Sequence, residues 1–410
     1  MGMQNRIDRL CTKDIAIEQT EQVTRMARRV AVYTKIWLSG GSGLFAQELV
    51  AGILDAGGGV FFVAPSAEDS QFERPRRGLI RAKPPRQLDR GSRLRRIVAS
   101  FARIGGSALG LARARFQTRI FIVTIPDPFV FSLPMLLLLR LTGARIIYVV
   151  HDPLPHAWRL PQWLRTIENA GFQAMYSLSS ALVVLSEAGR PALAGAYRLG
   201  KRHVAVIEHG IFVLGEPTPA PGHGSLLLFG TLRRNKGIRE AIAGVVAARA
   251  DGARVHLTIA GAPDPMEPEY WRDCEMLARA HPEAVTLEIG YVLDDRLREL
   301  IAACDAFLLP YRDFNSQSGV AMLASSNART VIASRAGGIG DLINDGMAAV
   351  PIEAPVDEAA VAAAVTVFAS LPASEWNARA MEYRAHTIQS RAWPVIGRQY
   401  LELAALIDKP

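Results

Sequence analysis

Short apolar runs alternate with longer amphipathic stretches along most of the chain, and the pattern starts afresh past the midpoint. The first set of runs lies at 30–34, 60–64, 120–124, 146–150, 181–186 and 204–210. The second set lies at 226–230, 255–261, 285–290, 306–311 and 330–334. Runs rich in β-branched residues without polar alternation are typical of strands buried on both faces. Because helical segments separate most of them, the sequence predicts two doubly wound α/β domains.

Proline and glycine mark the boundary between these domains. The stretch VLGEPTPAPGHGS at 213–225 is typical of a linker, which we place at 216–224. The predicted domains are therefore 30–215 and 225–388, after an N-terminal extension over 1–29 that lacks apolar periodicity. The amphipathic stretch at 389–410 predicts a closing helix that lies across both domains. Two such domains create a cleft, and ligands bind there at the carboxyl ends of the strands.

Composition fits a folded protein and gives no sign of a metal site or a disulfide framework. Of 410 residues, 50% are hydrophobic and 21% are charged. Cys11, Cys274 and Cys304 lie far apart, so we expect a cytoplasmic protein with reduced thiols. The first residues lack the apolar core of a signal peptide. The longest apolar run, 129–139, is broken by Pro134 and is too short to span a bilayer, so it predicts a buried helix.

The net charge of +8 is concentrated in residues 74–119. Within this stretch, RLRRIVASFARIGGSALGLARARF at 93–116 predicts a helix with apolar residues at helical spacing. These are Leu94, Ile97, Val98, Phe101 and Ile104. A basic amphipathic helix suits an anionic membrane surface. The alternative is a solvated basic face whose apolar side packs on its own domain. No aromatic-basic platform accompanies the charge, so we expect no nucleic-acid partner.

A glycine-rich turn follows the first predicted strand. Gly40, Gly41 and Gly43 precede the predicted helix FAQELVAGILDAG. Glycine lets the backbone approach a ligand closely, and the free N–H groups at a helix start attract phosphate. Such turns also join strands to helices in proteins without a ligand there, so both interpretations stay open.

Polar residues directly follow the fourth predicted strand. His151 and Asp152 come after IIYVV, where doubly wound domains place binding groups. Pro153 and Pro155 prevent a regular helix from continuing there. His151 is therefore a candidate active-site residue. The alternative is a histidine satisfied by a neighbouring carbonyl group.

Cationic residues open the second domain, in LLLFGTLRRNKGIREAI. Gly230 ends the predicted strand, Arg233 and Lys236 follow, and a helix begins after Gly237. Cations at this position can neutralise the charge that develops on a diphosphate as its bond to another group breaks. Arg234, between the two cations, is equally well explained as a solvated side chain.

Taken in this order, the motifs resemble the retaining sugar-nucleotide glycosyltransferases of family 4, which have the GT-B fold. The resemblance covers roughly residues 30–405 and also rests on EHG at 208–210, IAG at 259–261, the stretch 291–311 and TVIASRAGGIGDLI. It implies two Rossmann-like domains facing each other across a cleft, with the C-terminal helix crossing back.

The resemblance also implies roles for the candidate residues. Gly40 and Gly41 would contact the donor phosphates or leave room for the acceptor. His151 would hydrogen-bond the donor sugar, whereas Arg233 and Lys236 would hold the diphosphate. Members of the family usually need no metal, so we expect no cofactor, and the sequence has no Asp-x-Asp pair.

The chain departs from the family pattern in DFNSQSGVAMLASSNARTVIAS. Typical members have two glutamates eight positions apart, where this chain has Asn315 and Leu323. The loop instead resembles a subgroup found among bacterial surface-polysaccharide transferases, which has a Ser-Gln-Ser-Gly loop. In that subgroup the loop would present hydroxyl, amide and backbone groups to the donor. The donor-binding candidates in the loop are Asn315, Ser316, Gln317, Ser318 and Gly319.

The sequence thus predicts a hexosyltransferase that moves a sugar from a nucleotide-diphosphate donor to a glycan acceptor linked to a polyprenyl diphosphate or another lipid. Residues 74–119 would hold it on the inner face of the cell membrane. A degenerate transferase that only binds a nucleotide sugar is an alternative, favoured by the missing glutamates. A sugar-nucleotide 2-epimerase is a further alternative, although the cleft offers no clear acid-base carboxylates.

Overall fold

The protein is described here from a computed structural model. The structure describes residues 29–35, 41–66, 76–86, 92–154, 162–213 and 215–409. Of the predicted N-terminal extension, only Arg29 falls within these ranges. Of the predicted site residues, only Gly40 lies outside them.

The first domain is built on a sheet of parallel strands in the order β3-β2-β1-β4-β5-β6-β7. The strands are β1 (Arg29–Thr34), β2 (Gly59–Val63), β3 (Leu79–Ala82), β4 (Ile120–Ile125), β5 (Arg145–Val150), β6 (Ala181–Val184) and β7 (His203–Val206). The central strands β1, β4 and β5 are buried on both faces, as their unbroken apolar runs predict.

Helices cover both faces of this sheet. They are α1 (Gly41–Asp55), α2 (Arg93–Arg115), α3 (Phe129–Leu141), α4 (Arg165–Leu178) and α5 (Gly189–Ala196). On one face α1 packs together with the C-terminal helix α13 (Trp393–Ile407). On the other face the core is shared by α2, α3, α4 and α5.

The second domain repeats the plan with parallel strands in the order β10-β9-β8-β11-β12-β13. Its strands are β8 (Ser225–Phe229), β9 (His256–Gly261), β10 (Val285–Ile289), β11 (Ala306–Leu309), β12 (Thr330–Ser334) and β13 (Ala349–Ile352). Its helices are α6 (Ile238–Ala250), α7 (Pro268–Ala280), α8 (Asp294–Ala303), α9 (Gly319–Ser326), α10 (Gly338–Asn344), α11 (Glu358–Ser370) and α12 (Ala373–Ser390). This strand order is that of a Rossmann domain.

The predicted pair of doubly wound domains is therefore confirmed, and both strands that the sequence pattern missed lie at sheet edges. Every residue of β3 is only half-buried, and β13 contains Pro351. Edge strands pair on one side only, so they tolerate proline and do not need a continuous apolar run.

The closing helix crosses back to the first domain, as predicted. Trp393, Ile396 and Tyr400 of α13 belong to the same core as Val30 and Val32 of β1. This contact ties the end of the chain to the domain where its first strand lies.

The prediction of a buried helix at 129–139 was wrong about burial. The segment forms α3, but Ser132, Leu136 and Leu139 are its only buried residues. A helix lying on a sheet buries one stripe, and within the described part of the chain no further layer covers the rest of α3. Among the described residues no single helix is long and apolar enough to cross a bilayer. The bent pair Glu358–Ser370 and Ala373–Ile407 meets that test by length and composition only.

Candidate active site

The candidate site lies in the cleft between the carboxyl ends of the two sheets. In each sheet the strand order reverses once, between β1 and β4 in the first domain and between β8 and β11 in the second. Ligands of doubly wound domains bind at such reversal points. Hydrogen bonds cross the cleft from the Ser316 hydroxyl to the Asp152 carboxylate and from the Ala188 amide to the Asp341 carboxylate.

The cationic turn after β8 has a backbone that only glycine permits. Gly230 has a φ of 111°, and a Cβ on Gly237 would lie 2.0 Å from the Pro310 carbonyl oxygen. Between them, the Lys236 ammonium donates to the Tyr311 hydroxyl at 2.8 Å and also lies 4.7 Å from that ring's centroid. Tyr311 therefore holds the ammonium group beside Gly230, at the end of β8.

Arg233 and Arg234 have different surroundings. The Arg233 Nε atom lies 2.6 Å from the Asp264 carboxylate, and the Arg233 side chain remains 43% exposed. Arg233 therefore has an acidic partner that orients it, while it still borders the cleft. Arg234 instead stacks on Tyr270, with 4.5 Å between the guanidinium carbon and the ring centroid. This packing agrees with a structural role for Arg234.

The Ser-Gln-Ser-Gly loop joins β11 to α9 and faces the first domain. Ser318 is the N-cap of α9, and its hydroxyl accepts the Ala321 N–H at 3.2 Å, whereas Gly319 begins the helix. Ser316 is buried and bonds to Asp152 across the cleft. The side-chain nitrogen of Gln317 is buried and has no hydrogen-bond partner in the described part of the chain. Of the loop's side chains, Gln317 therefore has a polar group left for a ligand.

The two positions where the family has glutamates differ in their surroundings. Asn315 lies half-buried in the loop. Leu323 is 7% exposed and belongs to the core of the second domain. A carboxylate at Leu323 would need a polar partner, which this apolar core does not offer. The leucine therefore extends the core of the second domain at this position.

His151 at the end of β5 is held neutral by its surroundings. Burial lowers its pKa from 6.5 to about 4, against the opposite influence of Asp152. The ring packs edge-on against Phe45 at 4.8 Å, and its Nε2 atom has no hydrogen-bond partner among the described residues. The sequence left open that a neighbouring carbonyl group satisfies this histidine, but no described carbonyl group bonds to its Nε2 atom. A neutral imidazole can hydrogen-bond a sugar hydroxyl without carrying charge.

A cavity of about 400 Å³ opens beside His151 in the first domain. Its walls come from the ends of β4 and β5, from α3 and α4, and from Arg233 of the facing domain. Most of the lining is apolar and aromatic, including Phe129, Phe172 and Tyr176. Asp127, Asp152 and Glu168 supply carboxylates. A sugar-sized molecule in this cavity would contact Arg233 of the second domain.

Sequence reasoning missed Asp127, Asp264 and Tyr311. Asp127 is buried behind β4 and accepts a hydrogen bond from the Tyr33 hydroxyl at 2.6 Å. It comes two residues after the strand ends, as His151 comes directly after β5, so the same signal could have found it. Tyr311 likewise comes two residues after β11 ends, and Asp264 comes three residues after β9 ends. Their roles nevertheless depend on contacts with Lys236 and Arg233, which are distant in sequence.

The remaining predicted groups are placed as follows. Gly41 begins α1, so the helix starts before the predicted FAQELVAGILDAG segment and includes Gly43 in its first turn. In the described ranges no group of three or more His, Cys, Asp and Glu side chains is arranged to hold a metal ion.

Comparisons with known proteins identify the class of this fold and site. Residues 39–213 match the family model described as Glycosyltransferase Family 4, and residues 223–370 match the model described as Glycosyl transferases group 1. Together with the two-sheet architecture, these matches show that the chain belongs to the glycosyltransferases of the GT-B fold. The resemblance found in the motifs is confirmed at this level.

Two curated relatives are similar over part of the chain. The GDP-mannose:glycolipid 4-beta-D-mannosyltransferase of Xanthomonas campestris pv. campestris is 30% identical over 202 residues, which are 48% of this chain and 52% of the relative. A glycogen synthase of Mycobacterium tuberculosis is 29% identical over 214 residues, which are 50% of each. The chain spans about half the length of the curated relatives it matches.

Solved structures agree over nearly the whole chain. HepE of Anabaena, crystallised with UDP and glucose, has a TM-score of 0.68 at 15% identity over 92% of this chain and 100% of that one. WaaG, described as a glycosyltransferase involved in lipopolysaccharide biosynthesis, has a TM-score of 0.62 at 14% identity over 92% and 99%. At these identities the likeness shows the fold.

Proposed function

We propose that the protein is a glycosyltransferase that moves a sugar from a nucleoside-diphosphate donor to a lipid-linked glycan acceptor in bacterial polysaccharide biosynthesis. The observation that carries this proposal is the pair of cations, Arg233 and Lys236, beside an amide- and hydroxyl-rich loop at the reversal point of the second sheet. The glycolipid acceptor named for the Xanthomonas relative supports the acceptor class.

The donor diphosphate would bind at the turn after β8. The absence of a side chain at Gly230 leaves the backbone open to phosphate, and the N-terminus of α9 presents free N–H groups nearby. Arg233 and Lys236 would neutralise the charge that develops as the bond between the sugar's anomeric carbon and the phosphate oxygen breaks. The Gln317 amide and His151 Nε2, both without partners among the described residues, would bond to the donor.

Transfer would proceed with retention and without a metal. The acceptor hydroxyl would attack the anomeric carbon on the face that the diphosphate leaves, and its proton would pass to the departing phosphate oxygen. This step needs positioning and cations rather than a protein nucleophile, which agrees with the uncharged residues at 315 and 323. The Xanthomonas relative is named for a β-linked product, so proton NMR of the product's anomeric centre is the direct test of retention.

The acceptor would bind in the cavity of the first domain, and the enzyme would work at the inner face of the cell membrane. The aromatic lining suits sugar rings, and Arg233 marks the end where transfer occurs. Residues 93–116 carry arginines that attract anionic lipid, each worth ~1 kcal/mol near the surface. A protein that only binds nucleotide sugars is the second candidate, favoured by the missing glutamates.

Nucleotide binding and turnover test these proposals together. Thermal unfolding with UDP, GDP or ADP should show one nucleotide stabilising the protein, by about 2.7 kcal/mol at ~100 times its dissociation constant. Lys236→Ala should cut donor-dependent nucleotide release roughly 100-fold or more, because it removes a cation from the leaving group. Arg234→Ala is the matched control, since Arg234 stacks on Tyr270. It should keep turnover within about threefold.

The possible outcomes separate the candidates. No stabilisation by any nucleotide would exclude both a transferase and a nucleotide-sugar binding protein. Stabilisation without nucleotide release from any sugar nucleotide would favour the binding protein. Near-normal turnover in Lys236→Ala would remove Lys236 from the leaving-group site.

A further inference from the structure

Helix α2 has an apolar stripe on the side that faces away from its domain. Its buried residues, Arg103, Ser107, Gly110, Leu111 and Ala114, recur at helical spacing and face the sheet. Counting 3.6 residues per turn, a second set lies on the opposite side of the helix. These outward residues are Leu94, Val98, Phe101, Leu109 and, at the C-cap, Phe116, and they are between 53% and 89% exposed.

Helix α3 also turns apolar residues outward. Val130, Leu137, Leu138 and Leu141 are between 45% and 74% exposed, and Pro134 on the same side is exposed as well. No charged side chain lies among them. Large apolar residues gathered on one helix face, rather than scattered, mark a surface that binds something apolar.

The two helices lie side by side and run in the same direction. Phe101, in the first half of α2, and Phe131, in the first turn of α3, meet with their rings edge to face at 6.0 Å. Near their ends the Arg115 Nε atom donates to the Thr142 hydroxyl at 3.2 Å. Both helices cover the same face of the sheet, so their outward sides form one surface. We call this surface, formed by the outward residues of α2 and α3, the α2–α3 face.

The exposed charge along residues 92–151, which include both helices of the α2–α3 face, is of one sign. Between residues 92 and 151 the sequence has one carboxylate, Asp127, against a series of arginines. Asp127 is fully buried and lies 2.5 Å from Arg103, so this carboxylate does not reach the surface. Arg95 and Arg113 are exposed at one flank of the apolar stripe of α2. An apolar face bordered by cations complements an anionic lipid bilayer.

The α2–α3 face also adjoins the cavity of the candidate active site. Val130 is 60% exposed on α3 and lines that cavity. Asp127 and Phe129, just before it in sequence, line the cavity too. The cavity therefore borders the first turn of α3, at one end of the apolar surface.

We propose that the α2–α3 face inserts into the surface of an anionic bilayer, so that a lipid-linked acceptor reaches the cavity past Val130 while its lipid stays in the membrane. The proposal rests on the proposed function for the acceptor. Beyond that function, we infer that α3 inserts apolar side chains into the bilayer, in addition to the electrostatic attraction between residues 74–119 and anionic lipid. Electrostatic attraction is screened by salt, whereas apolar insertion is not.

Vesicle sedimentation with the full chain separates the two contributions. Wild-type protein should bind phosphatidylcholine vesicles containing phosphatidylglycerol and remain bound in about 0.5 M NaCl, where exposed charges are screened. Leu138→Ser combined with Leu141→Ser should bind at low salt but lose at least 10-fold in affinity at high salt. Arg93→Glu, Arg95→Glu and Arg96→Glu together should instead lose low-salt recruitment. The two leucines and the three arginines are all exposed, so both variants should fold as the wild type does.

Met276→Ser combined with Met381→Ser is the matched control, because both methionines are exposed on the second domain. This control should bind vesicles as the wild type does. Salt-resistant binding of the leucine variant equal to that of wild type would overturn the proposal, as would a lack of wild-type binding to anionic vesicles. So would a wild-type dimer that the leucine variant dissociates without any change in vesicle binding, because the face would then bind a second copy. Nucleotide-dependent thermal stabilisation should be unchanged in the leucine variant, which keeps this test separate from that of the proposed function.

Discussion

At the scale of single residues, the chemistry of the site depends on where the chain buries polar groups. His151 and His209 both contact Phe45, and burial lowers the pKa of each imidazole to about 4. Trp393 of the closing helix packs at 5.7 Å from the His209 ring. The closing helix thus contributes to the low-dielectric surroundings that keep these histidines neutral.

The buried His209 predicts a loss of stability in acid. Its pKa falls from 6.5 to about 4 on folding, so between these values the unfolded chain binds a proton that the folded chain does not. The stabilisation is complete above pH 6.5 and is lost as the pH falls towards 4. The free energy of unfolding lost through this histidine is roughly 2–4 kcal/mol. Unfolding midpoints measured across this range should fall more steeply for wild type than for His209→Gln.

His203→Gln is the control for this experiment, because His203 is exposed. Its unfolding midpoint should depend on pH as that of the wild type does. Equal slopes for His209→Gln and wild type would mean that folding leaves the pKa of His209 near its usual value.

At the scale of elements, α1 and α13 approach so closely that glycine is required where they cross. A Cβ on Gly397 would lie 2.3 Å from the backbone carbon of Gly52, and a Cβ on Gly52 would lie 2.0 Å from the Trp393 oxygen. These contacts involve backbone atoms, which cannot move aside as a flexible side chain can. The two glycines therefore decide how the closing helix sits on the first domain.

Gly397→Ala should destabilise the protein, although alanine favours helix. The clash with the α1 backbone should cost about 1–3 kcal/mol, as overpacking in cores does. Gly105→Ala in α2 is the matched control, because a Cβ there would meet nothing within 4 Å. It should stabilise by roughly 0.5–1 kcal/mol through helix propensity. Urea unfolding measures both, and a Gly397→Ala protein as stable as wild type would show that α13 can shift away.

At the scale of the whole molecule, a buried arginine joins the two domains behind the cleft. Arg391 is 4% exposed and lies 2.9 Å from Glu208, which follows the last strand of the first domain. It also lies 3.1 Å from Asp345 of the second domain. Burial raises the pKa of Glu208, and the cation of Arg391 acts in the opposite direction.

Arg391→Met should weaken the connection between the domains. It leaves two carboxylates without their shared cation, and breaking such pairs costs about 3–5 kcal/mol when they are fully buried. Because both carboxylates are about one-third exposed, we expect roughly 2–3 kcal/mol and two separated thermal transitions. Arg279→Met, which breaks an exposed pair with Glu275, should change stability by less than about 0.5 kcal/mol. Similar thermal profiles for the two variants would contradict this role of Arg391.

The sequence by itself determined the two sheets, the cationic turn and the candidate loop. Strands buried on both faces need unbroken apolar runs, so the sequence predicts β1, β4 and β8. The turn after β8 needs glycine, so the sequence also predicts the Gly230 turn. The edge strands β3 and β13 were not predicted, because they pair on one side only and carry no such pattern. The edge strands β7 and β10 do carry apolar runs and were predicted.

The tertiary structure alone decided which side of each helix is covered and which polar groups meet. An apolar run such as 129–139 predicts a helix, but its burial depends on whether another layer lies over it. None of the residues that the structure describes forms such a layer over α3. Likewise the partners of Arg233 and Lys236, Asp264 and Tyr311, come from distant loops that the fold brings together. Local pattern fixes secondary structure because its forces act between near neighbours, whereas contacts across the cleft depend on how the domains pack.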